Sequence, residues 1–171
     1  MTLRLIPADD AIHYRAEITA MMDEWLATGE KIVPYAIRRM DVHDFEEYCA
    51  HLEQKTPPPG YVCDSTFFCL EEESGQVVGA ANIRHQLNES LLLNGGHIGD
   101  GVRPSRRREG IGTRLVAMAL EEARKLGIHR VLMVCDKENY PSRRTIEKNG
   151  GVLENEIVVD GVTEQRFWID L

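Results

Sequence analysis

The sequence contains no long apolar run. No window of its 171 residues approaches the roughly 18 to 20 consecutive apolar residues that a membrane-spanning helix needs. Arg4, Asp9 and Asp10 interrupt the first residues, so these do not form the apolar core of a signal peptide. We therefore expect a cytoplasmic protein with no membrane partner.

Cysteine is scarce and is not arranged in metal-binding motifs. The four cysteines, Cys49, Cys63, Cys69 and Cys135, include no C-x-x-C pair, which argues against a zinc ribbon and against a disulfide framework. We expect reduced thiols that pack as small hydrophobic side chains, and no bound metal.

Positive charge is in deficit, yet it is locally concentrated. The chain has 20 lysine and arginine residues against 28 aspartate and glutamate residues, a net charge of -8. Because nucleic-acid affinity comes mainly from neutralising phosphates, we expect no nucleic-acid partner. One stretch is nevertheless basic, and its arginines predict a local anion site on an acidic protein: Arg103, Arg106, Arg107, Arg108 and Arg114.

The length predicts one domain over residues 1–171, since 43% of the residues are hydrophobic and can form a core. The only linker-like stretch, Thr56 to Gly60, is rich in proline and cannot continue a helix. It separates a helical segment, about residues 9–55, from a sheet-rich core, about residues 62–171.

Two amphipathic helices are predicted before the prolines. Asp9 or Asp10 can cap the first helix, and the second follows Asp41. Both have apolar residues at i, i+3, i+4 and i+7, the spacing of a helix face that packs on a core: Ile18, Met21, Met22 and Trp25, then Phe45, Tyr48, Cys49 and Leu52.

Strands dominate after the prolines. Gly99 and Gly101 interrupt one short strand, as glycines do where a strand bulges or another group approaches its backbone. The pattern predicts a hairpin at 66–72 and 76–84, a strand at 97–102, a helix at 110–126, a strand at 131–134, a helix at 141–149 and a hairpin at 152–159 and 163–169. Strand, helix and strand in this order form a βαβ unit, so strands 97–102 and 131–134 should be parallel neighbours. The expected fold is α/β, with a mixed, mostly antiparallel sheet, this central parallel unit and flanking helices.

The stretch from Val102 to Thr113 connects a strand to a helix and suits anion binding. The first turn of a helix leaves backbone N–H groups unpaired, and Gly110 and Gly112 let a phosphate approach them closely. A Walker loop is excluded, since the chain has no Gly-Lys-Ser/Thr. A dinucleotide-binding loop would need a third glycine at Leu115, although Asp136 after the next strand could bind a ribose, which leaves that alternative open.

Two motifs resemble elements of a known family, the GNAT N-acetyltransferases. Arg107-x-x-Gly110-x-Gly112, preceded by Val102-x-Pro104, is similar to the acyl-CoA pyrophosphate loop of that family. Asn139-x-x-Ser142 is similar to its second CoA-contacting element. The order of helices and strands agrees over most of the chain, and residues 95–104 and 134–139 resemble a bacterial subgroup of the family.

The resemblance implies acetyl-CoA as cosubstrate and assigns residues to it. The backbone of Val102 would pair with the pantetheine arm, which Asn139 and Ser142 would also contact, with Arg143 or Arg144 near the adenosine phosphate. The pyrophosphate would be bound by Arg107 and by the N–H groups of Arg108, Glu109, Gly110, Ile111, Gly112 and Thr113.

The chain departs from the family pattern at the group that protonates the leaving CoA thiolate. Many members have a tyrosine seven residues after the asparagine, whereas this chain has Ile146. Tyr140, Ser142 and Cys135 are the nearby donors. We favour Tyr140, because its hydroxyl can reach several ångströms from a loop.

The resemblance implies acetyl transfer to a primary amine on a small molecule or a chain N-terminus, and the amine must lose a proton before it attacks. His97 and Asp100 lie on the predicted strand beside the thioester and are the candidate bases, with Glu24 and Tyr35 on the segment that would cover the acceptor. The excess of acid in residues 1–100 would suit a cationic acceptor. An acyl-CoA sensor without turnover remains an alternative, and a homodimer is left open.

Overall fold

The computed structural model describes all residues from Met1 to Leu171 as an α/β fold. The strands are β1 (Leu3–Pro7), β2 (Asp64–Glu71), β3 (Gln76–Arg84), β4 (Ile98–Val102), β5 (Arg130–Asp136), β6 (Val152–Val159) and β7 (Val162–Asp170). The helices are α1 (Arg15–Thr28), α2 (Phe45–Ala50), α3 (Ile111–Lys125) and α4 (Tyr140–Lys148). Short 3-10 turns occupy Ala8–Tyr14, Tyr35–Arg38 and Pro104–Arg106, and a single π-helical turn occupies Leu91–Gly95. No helix here has the length and apolar character needed to span a bilayer.

The strands form two antiparallel sheets. The first has the order β1-β2-β3-β4 and the second the order β5-β7-β6. The predicted hairpins at 66–84 and 152–169 are therefore present, and the expected mixed α/β class is confirmed. The sequence analysis does not identify β1, which pairs with β2 at the outer edge of the first sheet.

The predicted parallel pairing of strands 97–102 and 131–134 is not confirmed. β4 and β5 belong to different sheets, and His97, just before β4, bridges them. The His97 backbone N–H donates to the carbonyl oxygen of Leu132 at 2.8 Å, and His97 Nδ1 accepts from the Leu132 N–H at 2.9 Å. The histidine ring thus takes the place of a main-chain acceptor, and beyond it β4 and β5 are free to diverge.

Two apolar cores cover the two faces of the first sheet. α3 and β5 pack on one face around Leu115, Val131 and Phe167. α1, α2 and the preceding 3-10 turn pack on the other face. The predicted helix stripes are buried apart from Cys49, which is only partly covered: Ile18, Met21, Met22 and Trp25 on α1, and Phe45, Tyr48 and Leu52 on or after α2.

The expected cap of α1 is wrong. Asp9 and Asp10 lie in the 3-10 turn at Ala8–Tyr14, and α1 begins only at Arg15, without a side-chain cap. The expected close approach at the β4 glycines is correct. A Cβ on Gly101 would lie 2.1 Å from the carbonyl oxygen of Val33, and one on Gly99 would lie 3.2 Å from Pro34 Cβ. These glycines therefore let the segment after α1 lie directly on β4.

Candidate functional site

A cleft of about 630 Å³ opens where β4, the start of α3 and α4 meet. Trp25 and Val33 from the N-terminal segment close one side of it. The structure brings most of the predicted CoA-binding residues together in its lining: Val102, Arg107, Arg108, Gly110, Ile111, Gly112, Thr113, Asn139, Ser142 and Arg144. Glu109 is on the same loop but is not among the lining residues, because its carboxylate turns back to Arg106 at 2.7 Å.

The loop before α3 presents a continuous set of free backbone donors. None of the N–H groups from Arg107 to Thr113 donates to another group of the chain. Arg108 and Gly110 adopt left-handed conformations, with φ of 67° and 79°. Alternating backbone conformations of this kind turn successive N–H groups towards one point and form an anion-binding concavity. The positive end of the α3 dipole adds to the attraction.

Gly112 leaves room at the cleft floor. A Cβ at this position would meet only Val102 Cγ2 at 3.5 Å and Thr145 Oγ1 at 3.6 Å, both ordinary contacts. The fold itself therefore tolerates a side chain here. The glycine leaves space above it that a ligand can occupy.

Two arginines of the loop are paired with glutamates of the chain, although both line the cleft. Arg106 lines it but is bound to Glu71 at 2.8 Å and to Glu109. Arg107 pairs with Glu30 at 2.7 Å, and both side chains are well exposed. Because exposed ion pairs contribute little, the Arg107 guanidinium can exchange Glu30 for a phosphate at small cost.

The free edge of β4 forms another wall. The Arg103 N–H donates to the Val78 carbonyl oxygen in β3, and the alternation of an antiparallel ladder then directs the backbone groups of Asp100 and Val102 to the opposite edge. These groups are available to an extended ligand, in agreement with the pantetheine contact expected at Val102.

α4 supplies a polar face to the cleft. Asn139 caps this helix, since its Oδ1 accepts from the Ser142 N–H at 3.2 Å. Of the two arginines considered near the adenosine phosphate, Arg144 lines the cleft, whereas Arg143 pairs with Glu147. Thr145 and Lys148 also line it. The sequence analysis missed both, although their spacing of three and six residues from Ser142 places them on one helix face.

Asp100 is the one acidic side chain that lines the cleft. Burial raises the pKa of its carboxyl group to about 6, well above the ordinary 3.8. A carboxylate with a pKa near working pH, in a cleft, has the properties of a general base.

The other candidate bases are engaged elsewhere. His97 is buried in its bridge to Leu132, and burial lowers the pKa of its ring to about 4. Glu24 accepts from Arg103 Nε at 2.6 Å and from the Ser105 N–H at 2.7 Å. Neither lines the cleft, so the structure brings Asp100 but not His97 to the predicted site.

Tyr140 is also outside the cleft. Tyr140 is 65% exposed, and the step of two residues to Ser142 turns about 200° around α4, so Tyr140 faces away. Cys135 is buried close behind the cleft. Burial raises the pKa of its thiol, and the neighbouring Ser142 side chain partly offsets that effect.

Comparison with known proteins gives a consistent picture. The family model described as the acetyltransferase (GNAT) family matches residues 21–151. No curated protein is significantly similar in sequence to the chain.

Several solved structures share the fold at low sequence identity. A Salmonella typhimurium protein described as an acetyltransferase, solved with acetyl-CoA, has a TM-score of 0.63 at 16% identity over 100% of this chain and 95% of its own. A spermidine N-acetyltransferase from Vibrio cholerae has a TM-score of 0.65 at 18% identity over 99% and 95%. A protein described as a phosphinothricin N-acetyltransferase has a TM-score of 0.61 at 16% identity, over 99% of both chains.

Proposed function

Because the chain belongs to the GNAT acetyltransferase family, we propose that it is an N-acetyltransferase that moves the acetyl group of acetyl-CoA to a primary amine, on a small molecule or a chain N-terminus. The observation that carries the proposal is the cleft itself, where free backbone donors at the start of α3 lie beside a carboxylate of raised pKa. The thioester is already activated, so the protein contributes mainly positioning and proton transfer.

The lining of the cleft fits the chemistry of CoA. The free N–H groups from Arg107 to Thr113 match a pyrophosphate, and Arg144 and Lys148 add positive charge for the adenosine phosphate. The open edge of β4 at Val102 and the side chains of Asn139 and Ser142 match the amides of the pantetheine arm.

Asp100 accepts the proton of the attacking amine. An alkyl ammonium group has a pKa of about 10 and is mostly protonated at neutral pH, so a base must remove its proton before attack. The raised pKa of Asp100 makes its carboxylate a stronger base than an exposed aspartate, and it is still ionised at pH 7.

In this proposal Ser142, in place of Tyr140, stabilises the leaving CoA thiolate. Ser142 lines the cleft, and its hydroxyl donates a hydrogen bond to the thiolate. The amine nitrogen releases a second proton when the amide forms, and this proton passes to the sulfur to give the CoA thiol.

Turnover tests the function. The purified protein is incubated with acetyl-CoA and a panel of primary amines, thiol release is followed, and the acetylated amine is identified by mass spectrometry. We expect steady release that depends on the amine. Tight binding of acetyl-CoA without release for any amine would instead support the sensor function.

A further inference from the structure

We propose that a second pocket, on the opposite face of β4, binds a carboxylate of the acceptor, so that the substrate is an amine that also carries a carboxylate, as an amino acid does. Arg84 is the residue that recognises it. This inference rests on the proposed function and names the substrate class of the same site.

The pocket adjoins the CoA cleft. It has a volume of about 190 Å³ and is lined by residues of β2 and β3, by the 3-10 turn at Tyr35–Arg38 and by the π-helical turn after Ser90. Val33 lines the cleft and Tyr35 lines the pocket, so the two cavities lie side by side at this short segment.

The charges in the pocket do not balance. Its one carboxylate, Asp64, is fully used: Oδ2 accepts from Arg39 Nη2, and Oδ1 accepts from the Gln54 N–H at 2.7 Å. Arg84, the other arginine in the lining, donates only from Nη1, to the carbonyl oxygens of Gly95 and Gly96 at 3.2 and 3.4 Å. No carboxylate of the chain pairs with it.

A buried arginine without a carboxylate partner lowers the stability of the fold. Burial lowers the pKa of Arg84, and Asp64 and Arg39 act on it with opposite signs. The two carbonyl hydrogen bonds satisfy only one nitrogen of the guanidinium, so removing this group from water without a paired anion still costs free energy. A bound carboxylate would supply the missing partner and could accept from the free Nε and Nη2 together.

The position of Arg84 suits an acceptor rather than an unrelated ligand. A Cβ on Gly99 would lie 3.5 Å from Arg84 Nη2, so the guanidinium lies over the β4 backbone at Gly99, the residue before Asp100. Asn82 pairs with Gly99 in the sheet and donates from Nδ2 to Thr66 Oγ1 and to the Ser65 carbonyl oxygen, which leaves its own carbonyl oxygen free to accept from an amino group.

This assignment replaces the cationic acceptor suggested by the acidic N-terminal part. Asp9, Glu46 and Glu47 are exposed and point to solvent or to surface partners rather than to the pocket. The pocket itself is lined by two arginines and one aspartate, so its net charge is positive although residues 1–100 have an excess of acid.

The test compares matched acceptors. Acetyl transfer from acetyl-CoA to each standard L-amino acid, and to the α-carboxamide of that amino acid, is assayed at pH 8 with wild type, Arg84→Met and Arg84→Lys. Arg130→Met, an exposed arginine paired with Asp170 far from both cavities, is the control. The ratio of kcat/KM for acid and amide cancels any loss of folded enzyme.

We expect at least one acid to exceed its amide by roughly tenfold or more, the value of a charge-assisted contact. The ratio should fall to near one in Arg84→Met, recover in part in Arg84→Lys and stay unchanged in Arg130→Met. The amino group of the amide is less basic, so a larger fraction of it is neutral at pH 8. This difference favours the amide and therefore works against the expected result.

Other outcomes overturn different claims. Amides that react as well as their acids overturn the carboxylate assignment and leave N-acetyl transfer standing. Turnover of another primary amine but of no amino acid also overturns only the carboxylate assignment. If no primary amine of either panel reacts, the proposed function fails, and calorimetry with N-acetyl amino acids and their amides in the presence of CoA decides the pocket. Equal binding of acid and amide, or no binding of either, then overturns the assignment as well.

Discussion

Residues of the same chemical type differ in this protein by what surrounds them. Arg106 and Arg107 share the basic loop, yet one is held by Glu71 and Glu109 and the other by a single exposed glutamate. The sequence analysis correctly identifies the loop as basic. It could not assign the partners, because Glu30 and Glu71 are far away along the chain.

The direction of a helix face decides which side chains of α4 reach the cleft. The sequence analysis favours Tyr140 on its reach, but α4 starts at this residue and turns its ring to solvent. Ser142 instead lines the cleft, because α4 packs against α3 and β5, a contact that the local sequence does not show.

The structure therefore predicts opposite results for two conservative variants. Ser142→Ala should lower kcat about tenfold, because the departing thiolate loses a hydrogen-bond donor in the cleft. Tyr140→Phe should keep kcat within about twofold. Both are measured by steady-state assay across a pH series with a fixed amine. A full rate in Ser142→Ala would show that its hydroxyl does not stabilise the thiolate.

At the scale of elements, the position of the loop before α3 was predicted correctly because its signals are local. Gly110 and Gly112 lie together in the sequence, and both line the cleft. The start of α1 and the strand β1 were not predicted correctly, since the first depends on a 3-10 turn and the second on pairing with β2, over sixty residues away.

Gly112→Ala separates binding from folding in this loop. The new Cβ fits the ligand-free fold, and alanine favours the helix by up to about 1 kcal/mol, so the free energy of unfolding should be equal or higher. The methyl group takes the place of a phosphate oxygen, so CoA affinity should fall by roughly tenfold, about 1.4 kcal/mol. Calorimetry and urea unfolding measure the two effects.

Arg124→Ala, at the far end of α3, serves as the matched control and should bind CoA as the wild type does. Normal CoA affinity in Gly112→Ala would place the pyrophosphate elsewhere.

His97 joins the two sheets and makes the junction sensitive to pH. Burial lowers the pKa of its ring to about 4 from 6.5, so the unfolded chain binds this proton more readily than the folded protein. The bridge is intact above pH 6.5 and loses stability as the pH falls from about 6.5 to about 4. Protonation also removes the Nδ1 acceptor of the Leu132 N–H.

His97→Asn keeps an acceptor near the same place without a titratable ring, and His97→Ala removes it. At pH 8 we expect Ala to destabilise by about 1–3 kcal/mol and Asn by less, since a buried N–H without a partner carries that cost. Between pH 7 and 5, wild type should lose more stability than His97→Asn in urea unfolding. Parallel losses would show that His97 does not titrate in this range.

At the scale of the whole molecule, function arises where two sheets diverge. The sequence analysis predicts the strands and the helix between them but joins the strands as parallel neighbours. The His97 ring replaces a main-chain acceptor at the junction, and nothing in the local pattern distinguishes this from an ordinary ladder. The divergence leaves the edge of β4 free and exposes Asp100 to the cleft.

The raised pKa of Asp100 is a property of this whole arrangement, because it results from burial between β4 and the elements packed against it. An ionised carboxylate in that position destabilises the fold above pH 6. Asp100→Asn should therefore be more stable than wild type at pH 8, as expected where a residue is kept for activity rather than for stability.

The pH dependence of kcat/KM for acetyl transfer, in wild type and in Asp100→Asn, tests the account most directly. Wild type should lose activity about tenfold for each pH unit below an apparent pKa near 6, because protonated Asp100 cannot accept the amine proton. Asp100→Asn should be at least about 100-fold slower at pH 8 and should lack the break near pH 6, because its rate should follow the fraction of neutral amine up to the amine pKa of about 10. An Asp100→Asn enzyme that retains the wild-type rate and the same break would contradict the assignment of the base.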